Sequence, residues 1–194
     1  MNKTLKFLML AGLFQCGLIW AQKPCEYSAQ VNDSIGKYVS LKDVLVYEQI
    51  FGSSEKYVFL SLQNVNGTPL LNFQWVQKSN QFIPAHCLSN SSKLHIQLES
   101  GKIISLIYTD NENCGTKLND GNQKATRILT GNFLFLKGSV EALKTSKITM
   151  IRLSMGSDNK DFIIRDEVNS ELLKTTSYPS TFFMNYLDCV LNLE

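Results

Sequence analysis

The sequence predicts an α+β fold, made predominantly of antiparallel β hairpins that pack against short C-terminal helices. Through most of the chain, short runs of alternating apolar and polar residues are separated by turns rich in Gly, Asn and Ser. Near the C-terminus the apolar residues instead recur at three and four positions, as on one face of a helix. We detect no internal repeat, low-complexity segment or linker, so a single domain is expected.

Residues 1–22 have the pattern of a cleaved secretory signal peptide. Two lysines precede an apolar run from Phe7 to Trp20, which is too short for a comfortable membrane span. A retained anchor and a lipoprotein are the alternatives. The lipoprotein is disfavoured because Gln15 precedes Cys16, where a small residue is expected.

We expect residues 23–194 to form one disulfide-bonded, β-rich domain. It should be exported to the periplasm or the extracellular medium, with no membrane span after processing. The formal charge of +2 disappears on processing because Lys3 and Lys6 are removed, which leaves 17 basic residues (Lys and Arg) against 17 acidic ones. This balance gives no reason to expect a nucleic-acid or anionic-membrane partner.

Four cysteines remain after the predicted cleavage: Cys25, Cys87, Cys114 and Cys189. An even count in an exported chain favours disulfides. Cys87 and Cys114 lie equally far from a predicted hairpin turn, which selects the pairs Cys87–Cys114 and Cys25–Cys189. A zinc site is the alternative, but no Cys-x-x-Cys spacing is present. We therefore expect neither a metal nor another cofactor.

The first segments of the mature chain give the weakest patterns. Residues 24–35 are polar and turn-rich, which favours an irregular arm held by Cys25. Residues 37–41 and 44–51 fit strands because of β-branched residues such as Val44, although the second segment also fits a helical stripe.

A hairpin with strands over residues 57–63 and 70–77 is predicted around Asn66–Gly67, a strong turn dipeptide. One face of its second strand should be packed and the other wet. The core-facing residues should be Leu71, Phe73 and Trp75. The water-facing residues should be Asn72, Gln74 and Gln77. A sugar-stacking platform is the alternative role for the core-facing set.

The central hairpin pairs residues 93–98 with residues 102–108. With Gly101 at the left-handed position of a bulged turn, Leu98 lies opposite Lys102. The apolar residues of both strands then share one face: Leu94, Ile96, Leu98, Ile104 and Leu106.

Three elements are expected after the central hairpin. Residues 116–124 are mostly polar and should form a solvent loop. Residues 126–136 should form a strand, in which Gly131 marks a bulge or a close backbone approach. Ser139 should cap the N-terminus of a short helix over residues 140–144.

A third hairpin, residues 147–155 and 160–164, is predicted with Leu153 opposite Phe162 and Ile151 opposite Ile164. Residues 167–174 fit a short helix. Pro179 suits the first turn of a last helix, whose apolar stripe should pack on a sheet face. That stripe is Phe182, Phe183, Tyr186, Leu187 and Val190.

The residues that could carry chemistry form no known catalytic motif. The sequence has no Gly-x-Ser-x-Gly elbow, His-Glu-x-x-His helix, phosphate-binding loop or dinucleotide fingerprint. His95 is out of phase with its apolar neighbours and should face water, and His86 should point away from the adjacent Cys87. No catalytic residue is therefore assigned.

We expect a non-catalytic binding or structural module of the cell envelope or secretome, whose partner is a protein or a surface glycan. An inhibitor or immunity protein of an exported hydrolase is one alternative. The other is an acid-pair hydrolase, because carboxylates distant in sequence can meet in a fold. The acids available for it are Asp43, Glu48, Asp110, Glu112, Asp158 and Asp161.

Overall fold

The structure of the chain is a computed structural model that describes residues 24–34, 36–119 and 124–191. The predicted signal peptide, residues 1–22, lies outside these ranges. The strands are β1 (Tyr27–Asn32), β2 (Lys37–Leu41), β3 (Val44–Phe51), β4 (Ser54–Val65), β5 (Thr68–Ser79), β6 (Lys93–Leu98), β7 (Ile103–Tyr108), β8 (Thr116–Asn119), β9 (Ala125–Phe135), β10 (Ile148–Met155), β11 (Asp158–Ile163), β12 (Val168–Ser170) and β13 (Thr175–Ser177). The helices are α1 (Ser139–Thr145), α2 (Phe182–Tyr186) and α3 (Asp188–Leu191), with a 3₁₀ turn at Pro179–Thr181.

Eleven of the strands form one antiparallel sheet in the order β1-β2-β4-β5-β9-β7-β6-β10-β11. Strand β3 pairs with β4 beside β2, and β8 pairs with β9 beside β7. Strands β12 and β13 form a separate hairpin. The predicted α+β, β-rich fold class is confirmed.

The sheet is strongly curled, so that its last strand packs against its middle. Phe162 of β11 lies with its ring centroid 5.9 Å from that of Phe73 and 5.6 Å from that of Trp75, both on β5. Its ring is also 5.3 Å from that of Tyr47 on β3. The inner face of the curled sheet therefore encloses one main core.

Two hairpins match their predictions closely. The β4–β5 turn consists of Asn66 (φ 52°) and Gly67 (φ 84°), the left-handed pair that a two-residue turn requires. In the β6–β7 hairpin, Leu94 pairs with Leu106, and the Leu98 amide donates to the Lys102 carbonyl oxygen at 2.9 Å. Both registers place the predicted apolar residues in the core.

The C-terminal helices close one end of the curled sheet. Phe183 of α2 packs edge-on against Phe135 at the end of β9. The Asn64 side-chain amide, near the end of β4, donates to the Val190 carbonyl oxygen at 2.7 Å. Four members of the predicted apolar stripe are buried, while Tyr186 is partly buried against the same core. The expectation that this stripe packs on the sheet is confirmed.

Gly131 marks a close approach within the core rather than a bulge. Its register with Phe73 is continuous along β9 and β5. A Cβ atom at this position would lie 2.6 Å from both Leu88 Cδ1 and Tyr108 Cε2. The missing side chain therefore makes room for two neighbouring core residues.

The predicted register of the third hairpin is wrong by two residues. Ile151 pairs with Phe162 and Leu153 with Lys160, because the turn contains only two residues, Gly156 (φ 64°) and Ser157. A shift of two preserves the side-chain alternation, so the predicted residues still face the core.

The helix predicted over residues 167–174 is wrong, because this segment belongs to the β12–β13 hairpin. Val168 packs on the outer face of the sheet against Leu45, Tyr57 and Val76. The Ser177 hydroxyl donates to the Leu45 carbonyl oxygen at 2.5 Å. Tertiary packing on β3 therefore outweighs the local helical preference.

Three further predictions need correction. The arm at residues 24–35 contains β1, which pairs with β2, although Ile35 lies outside the described residues. The predicted loop at residues 116–124 contains β8, and its residues 120–123 also lie outside. Ser139 is the first residue of α1 rather than its cap; Gly138 is the N-cap, and the Ser139 hydroxyl donates to the Leu136 carbonyl oxygen.

Both disulfides have the pairing that the hairpin geometry selects. Cys87 is bonded to Cys114, beside a backbone bridge between Leu88 and Asn113 that extends the central hairpin. Cys25 is bonded to Cys189 across 164 positions of sequence. In the part of the chain that the structure describes, no helix is long and apolar enough to cross a membrane.

Candidate functional site

The inner face of the sheet changes from apolar to basic at the end opposite the C-terminal helices. Val58, Trp75 and Leu129 form a buried row across β4, β5 and β9. Two residues further along each strand, on the same face, the next row in register is Lys56, Gln77 and Arg127. Gln77 therefore lies on the inner face, and its assignment to the water-facing set is wrong.

A cavity of about 310 Å³ lies at this end of the sheet. We call it the basic cavity. Its lining includes three lysines, two aromatic side chains, an amide and a histidine: Lys56, Lys78, Lys160, Trp75, Phe82, Gln77 and His86. The loop between β5 and β6 covers part of this end, and the Cys87–Cys114 disulfide ties that loop to the segment before β8.

His86 anchors the covering loop onto the core. Its ring stacks on that of Trp75 with centroids 5.1 Å apart, and its Nδ1 lies 2.9 Å from Asp158 Oδ2. Burial and the nearby Lys160 hold the pKa of His86 below its ordinary value of 6.5, although Asp158 acts in the opposite direction. The neutral imidazole thus donates from Nδ1 to a carboxylate that Lys160 also contacts, at 2.9 Å.

Two buried nitrogen donors at this end of the sheet have no hydrogen-bond acceptor among the described residues. They are Trp75 Nε1 and Arg127 Nε. Trp75 is only 2% exposed and borders the cavity. A buried donor without an acceptor costs about 1–3 kcal/mol, so such groups in a folded protein need an explanation. A ligand that supplies acceptor atoms provides one.

The electrostatic balance of this end is positive. Asp158 is shared between Lys160 and His86. Within the described ranges, neither Lys56 nor Arg127 has an ion-pair partner; Arg127 donates from Nη1 to the Cys114 carbonyl oxygen at 3.2 Å. The site is therefore complementary to an acidic group.

The charge of this end suits an anion, whereas the nearby cysteines do not suit a metal. Asp158 orients His86 through Nδ1, so the ring could exchange a proton with a ligand only at Nε2. Cys87, Glu112 and Cys114 are close enough together to suggest a metal site. Both sulfur atoms are in the disulfide, however, and a metal needs the thiolate form.

His95 lies on the outer face of the sheet, as expected, but it is half-buried. Its Nδ1 is 2.7 Å from the Ser105 hydroxyl on β7. On the neighbouring strand β10, the residue directly opposite His95 is Arg152. Burial, Lys93 and Arg152 lower the pKa of His95. A cation beside the ring disfavours the imidazolium that a Ser–His mechanism must form. This pair is therefore a poor nucleophile–base arrangement.

Two of the candidate acids border one larger cavity, of about 520 Å³, between β3 and β11. They are Glu48 and Asp161. Arg152 binds both oxygens of Asp161 at 2.6 Å and lowers its pKa, and Glu48 accepts a hydrogen bond from Ser170 at 2.6 Å. An acid catalyst needs a raised pKa, so Asp161 could serve only as the ionised partner.

The remaining candidate acids are not gathered into one site. Asp110 accepts hydrogen bonds from the Asn132 backbone amide and side chain at 2.8 and 3.3 Å. Asp43 borders a separate cavity of about 240 Å³, and Glu112 is exposed.

Comparisons of this chain with protein-family models, with curated proteins and with solved structures find no match.

Proposed function

We propose that this protein is an exported, non-catalytic binding module that holds an acidic group of its ligand in the basic cavity. The observation that carries the proposal is a pair of buried donors, Trp75 Nε1 and Arg127 Nε, which have no acceptor among the described residues. They lie at the same end of the sheet as Lys56, which has no ion-pair partner among those residues. A carboxylate supplies acceptor oxygens and a negative charge, the two features that complement N–H donors and lysines at this end of the sheet.

The expected gain from such a ligand is substantial. Hydrogen bonds to a charged group contribute about 1.5–3 kcal/mol each, more than bonds between neutral groups. The site is also largely preformed, because His86 and the Cys87–Cys114 bond hold the covering loop in place. Little ordering of the protein then opposes binding.

Two features support export. Residues 1–22 have the composition of a signal peptide, and the remaining cysteines form two disulfides. Disulfides of this kind persist in oxidising compartments. We infer that the binding function operates in the periplasm or outside the cell.

The binding site can be tested by fluorescence, because Trp75 is the only tryptophan left after the predicted cleavage. Glutarate, a small dicarboxylate, should change the Trp75 emission saturably, whereas the neutral glutaramide should not. Arg127→Gln and Lys56→Gln should each weaken the response. Lys137→Gln should leave it unchanged, because this exposed residue lies just after the opposite end of β9. An equal response to glutarate and glutaramide would argue against an acidic ligand.

An inhibitor of an exported hydrolase is a second candidate, favoured by Phe82. This side chain is 86% exposed on a loop that is fixed at both His86 and Cys87. Protein inhibitors commonly present a preformed surface to an enzyme. Stoichiometric inhibition of an exported hydrolase that is lost in Phe82→Ala would support this role; no inhibition across proteases, glycosidases and peptidoglycan hydrolases would count against it.

An acid-pair hydrolase is the remaining alternative, favoured only by Glu48 and Asp161 bordering one cavity. It requires that polysaccharide hydrolysis by the purified protein disappear in both Glu48→Gln and Asp161→Asn. Activity that survives either substitution excludes this pair.

A further inference from the structure

Two phenylalanines project into solvent at the same end of the molecule as the basic cavity. Phe51, at the end of β3, is 83% exposed, and Phe82 is 86% exposed. We call this pair the Phe rim. Phe51 is paired with Ser54, and both Ser54 and Phe82 border the cavity. The β3–β4 turn is also tied to the loop after β5, because Ser53 Oγ lies 2.5 Å from Asn80 Oδ1.

The Phe rim is presented by well-anchored backbone. Phe51 ends β3, whose pairing with β4 is continuous from Tyr47 to the turn. Ile83, next to Phe82, is buried, and His86 and Cys87 fix the loop a few residues further on. Exposed aromatic groups on fixed backbone lose little conformational entropy on binding.

The chemistry of this surface favours a polypeptide partner. Large aromatic anchors are enriched at protein–protein interfaces, where a few of them carry most of the binding energy. Phenylalanine contributes apolar contact and has no polar group for sugar hydroxyls. Lys56, Lys78 and Arg127 beside the rim supply charge complementary to carboxylates.

We infer that this end of the protein docks an acidic segment of a partner protein. An apolar side chain of the segment packs against the Phe rim, and a neighbouring Asp or Glu enters the basic cavity. This inference rests on the proposed function and adds the class of partner to it.

Three short amidated peptides and one polysaccharide test the inference by calorimetry and by Trp75 fluorescence. The first peptide alternates Glu with Leu, the second Gln with Leu, and the third Glu with Ser; the polysaccharide is polygalacturonate. The Glu/Leu peptide should bind more tightly than the others. Phe51→Ala and Phe82→Ala should each weaken it about fivefold or more, as expected for anchor residues.

A matched control is Ile103→Ala, an exposed apolar residue on β7, which should leave peptide binding unchanged. Thermal unfolding of each variant shows whether the fold is retained. Tighter binding of polygalacturonate, with no effect of the rim variants, would overturn the protein partner while leaving the proposed function intact. If no acidic probe changes Trp75 emission, the proposed function itself fails.

Discussion

Single side chains decide where the inner face of the sheet changes from the apolar core to the basic cavity. Trp75 and Gln77 are neighbours on one face of β5, and both border the basic cavity, but Trp75 is buried whereas Gln77 is half-buried. The alternation of β5 correctly predicts that Trp75 faces the core. Gln77 is two residues further along the strand, so the same rule could have placed it on that face. Arg127 is two residues from Leu129, so its inner position could also have been predicted from sequence.

The lack of acceptors for Trp75 Nε1 and Arg127 Nε, and the stacking of His86 on Trp75, could not have been predicted in this way. Both depend on how the loop after β5 folds back over the sheet. Alternation within a strand carries no information on either point.

His86 should make stability depend on pH. Its pKa in the folded protein lies below 6.5, its ordinary value, so the unfolded chain binds more protons as the pH falls through that value. The free energy of unfolding should therefore decrease as the pH is lowered from about 7.5 to about 5.5. Ordinary carboxylates titrate below this pH range, so they should not cause the decrease. Urea unfolding at several pH values measures this decrease.

His95 acts in the same direction, because its pKa is also lowered. His86→Gln should remove part of the decrease, and His95→Gln another part. A free energy of unfolding that rises on acidification over this range would contradict burial of the neutral rings.

Gly131→Ala should destabilise the protein by about 1–3 kcal/mol, the usual cost of overpacking a core. The added Cβ would meet Leu88 and Tyr108 at 2.6 Å. Denaturant unfolding measures the change. Thr130→Ala, a half-buried neighbour on the other face, is the control; equal effects of the two substitutions would show that the contact at Gly131 is not critical.

At the scale of elements, the sequence predicts the strands that carry their own pattern. Strands β5 and β6 alternate between apolar and polar residues over most of their length, and the turn signals at Asn66–Gly67 and Gly101 place β4 and β7 beside them. Strands β1 and β8 are mostly polar and owe their conformation to backbone bonds with a neighbouring strand. The β12–β13 hairpin depends on contacts with β3 and β4, which are distant in sequence.

Packing of the β12–β13 hairpin can be tested through Val168, which is buried against Leu45, Tyr57 and Val76. Val168→Ala should lower the free energy of unfolding by about 1–2 kcal/mol, whereas Asn169→Ala, which is exposed, should change it little. Hydrogen exchange should also become faster at the amides of this hairpin. If the valine variant behaves like the asparagine variant, the hairpin does not contribute to the fold as described.

At the scale of the whole molecule, two disulfides join parts of the chain that are distant in sequence. Cys25–Cys189 joins the segment before β1 to the last helix, and Cys87–Cys114 supports the loop that carries Phe82 and His86. The even cysteine count and the hairpin symmetry predict this pairing. The sequence does not predict the curling of the sheet, because it depends on Phe162 reaching across to β5.

Replacing both members of either disulfide by Ala should lower the free energy of unfolding by about 2–4 kcal/mol. The loss should be greater for Cys25–Cys189, because that bond closes the longer loop. The Cys87/Cys114 variant should also lose affinity for acidic ligands, because the loop between β5 and β6 is no longer fixed. Urea unfolding and Trp75 fluorescence measure the two effects; unchanged stability in both variants would contradict a structural role for the bonds.

The most direct test of an acidic ligand in the basic cavity is a nitrogen–proton NMR titration of the mature protein with the Glu/Leu peptide. The Trp75 indole and Arg127 Nε signals report the two orphaned donors individually. Both signals should shift downfield together and saturate at the same peptide concentration, as expected when each donor gains an acceptor. If the peptide binds while both signals remain unchanged, the ligand occupies another surface and the basic cavity is not the binding site.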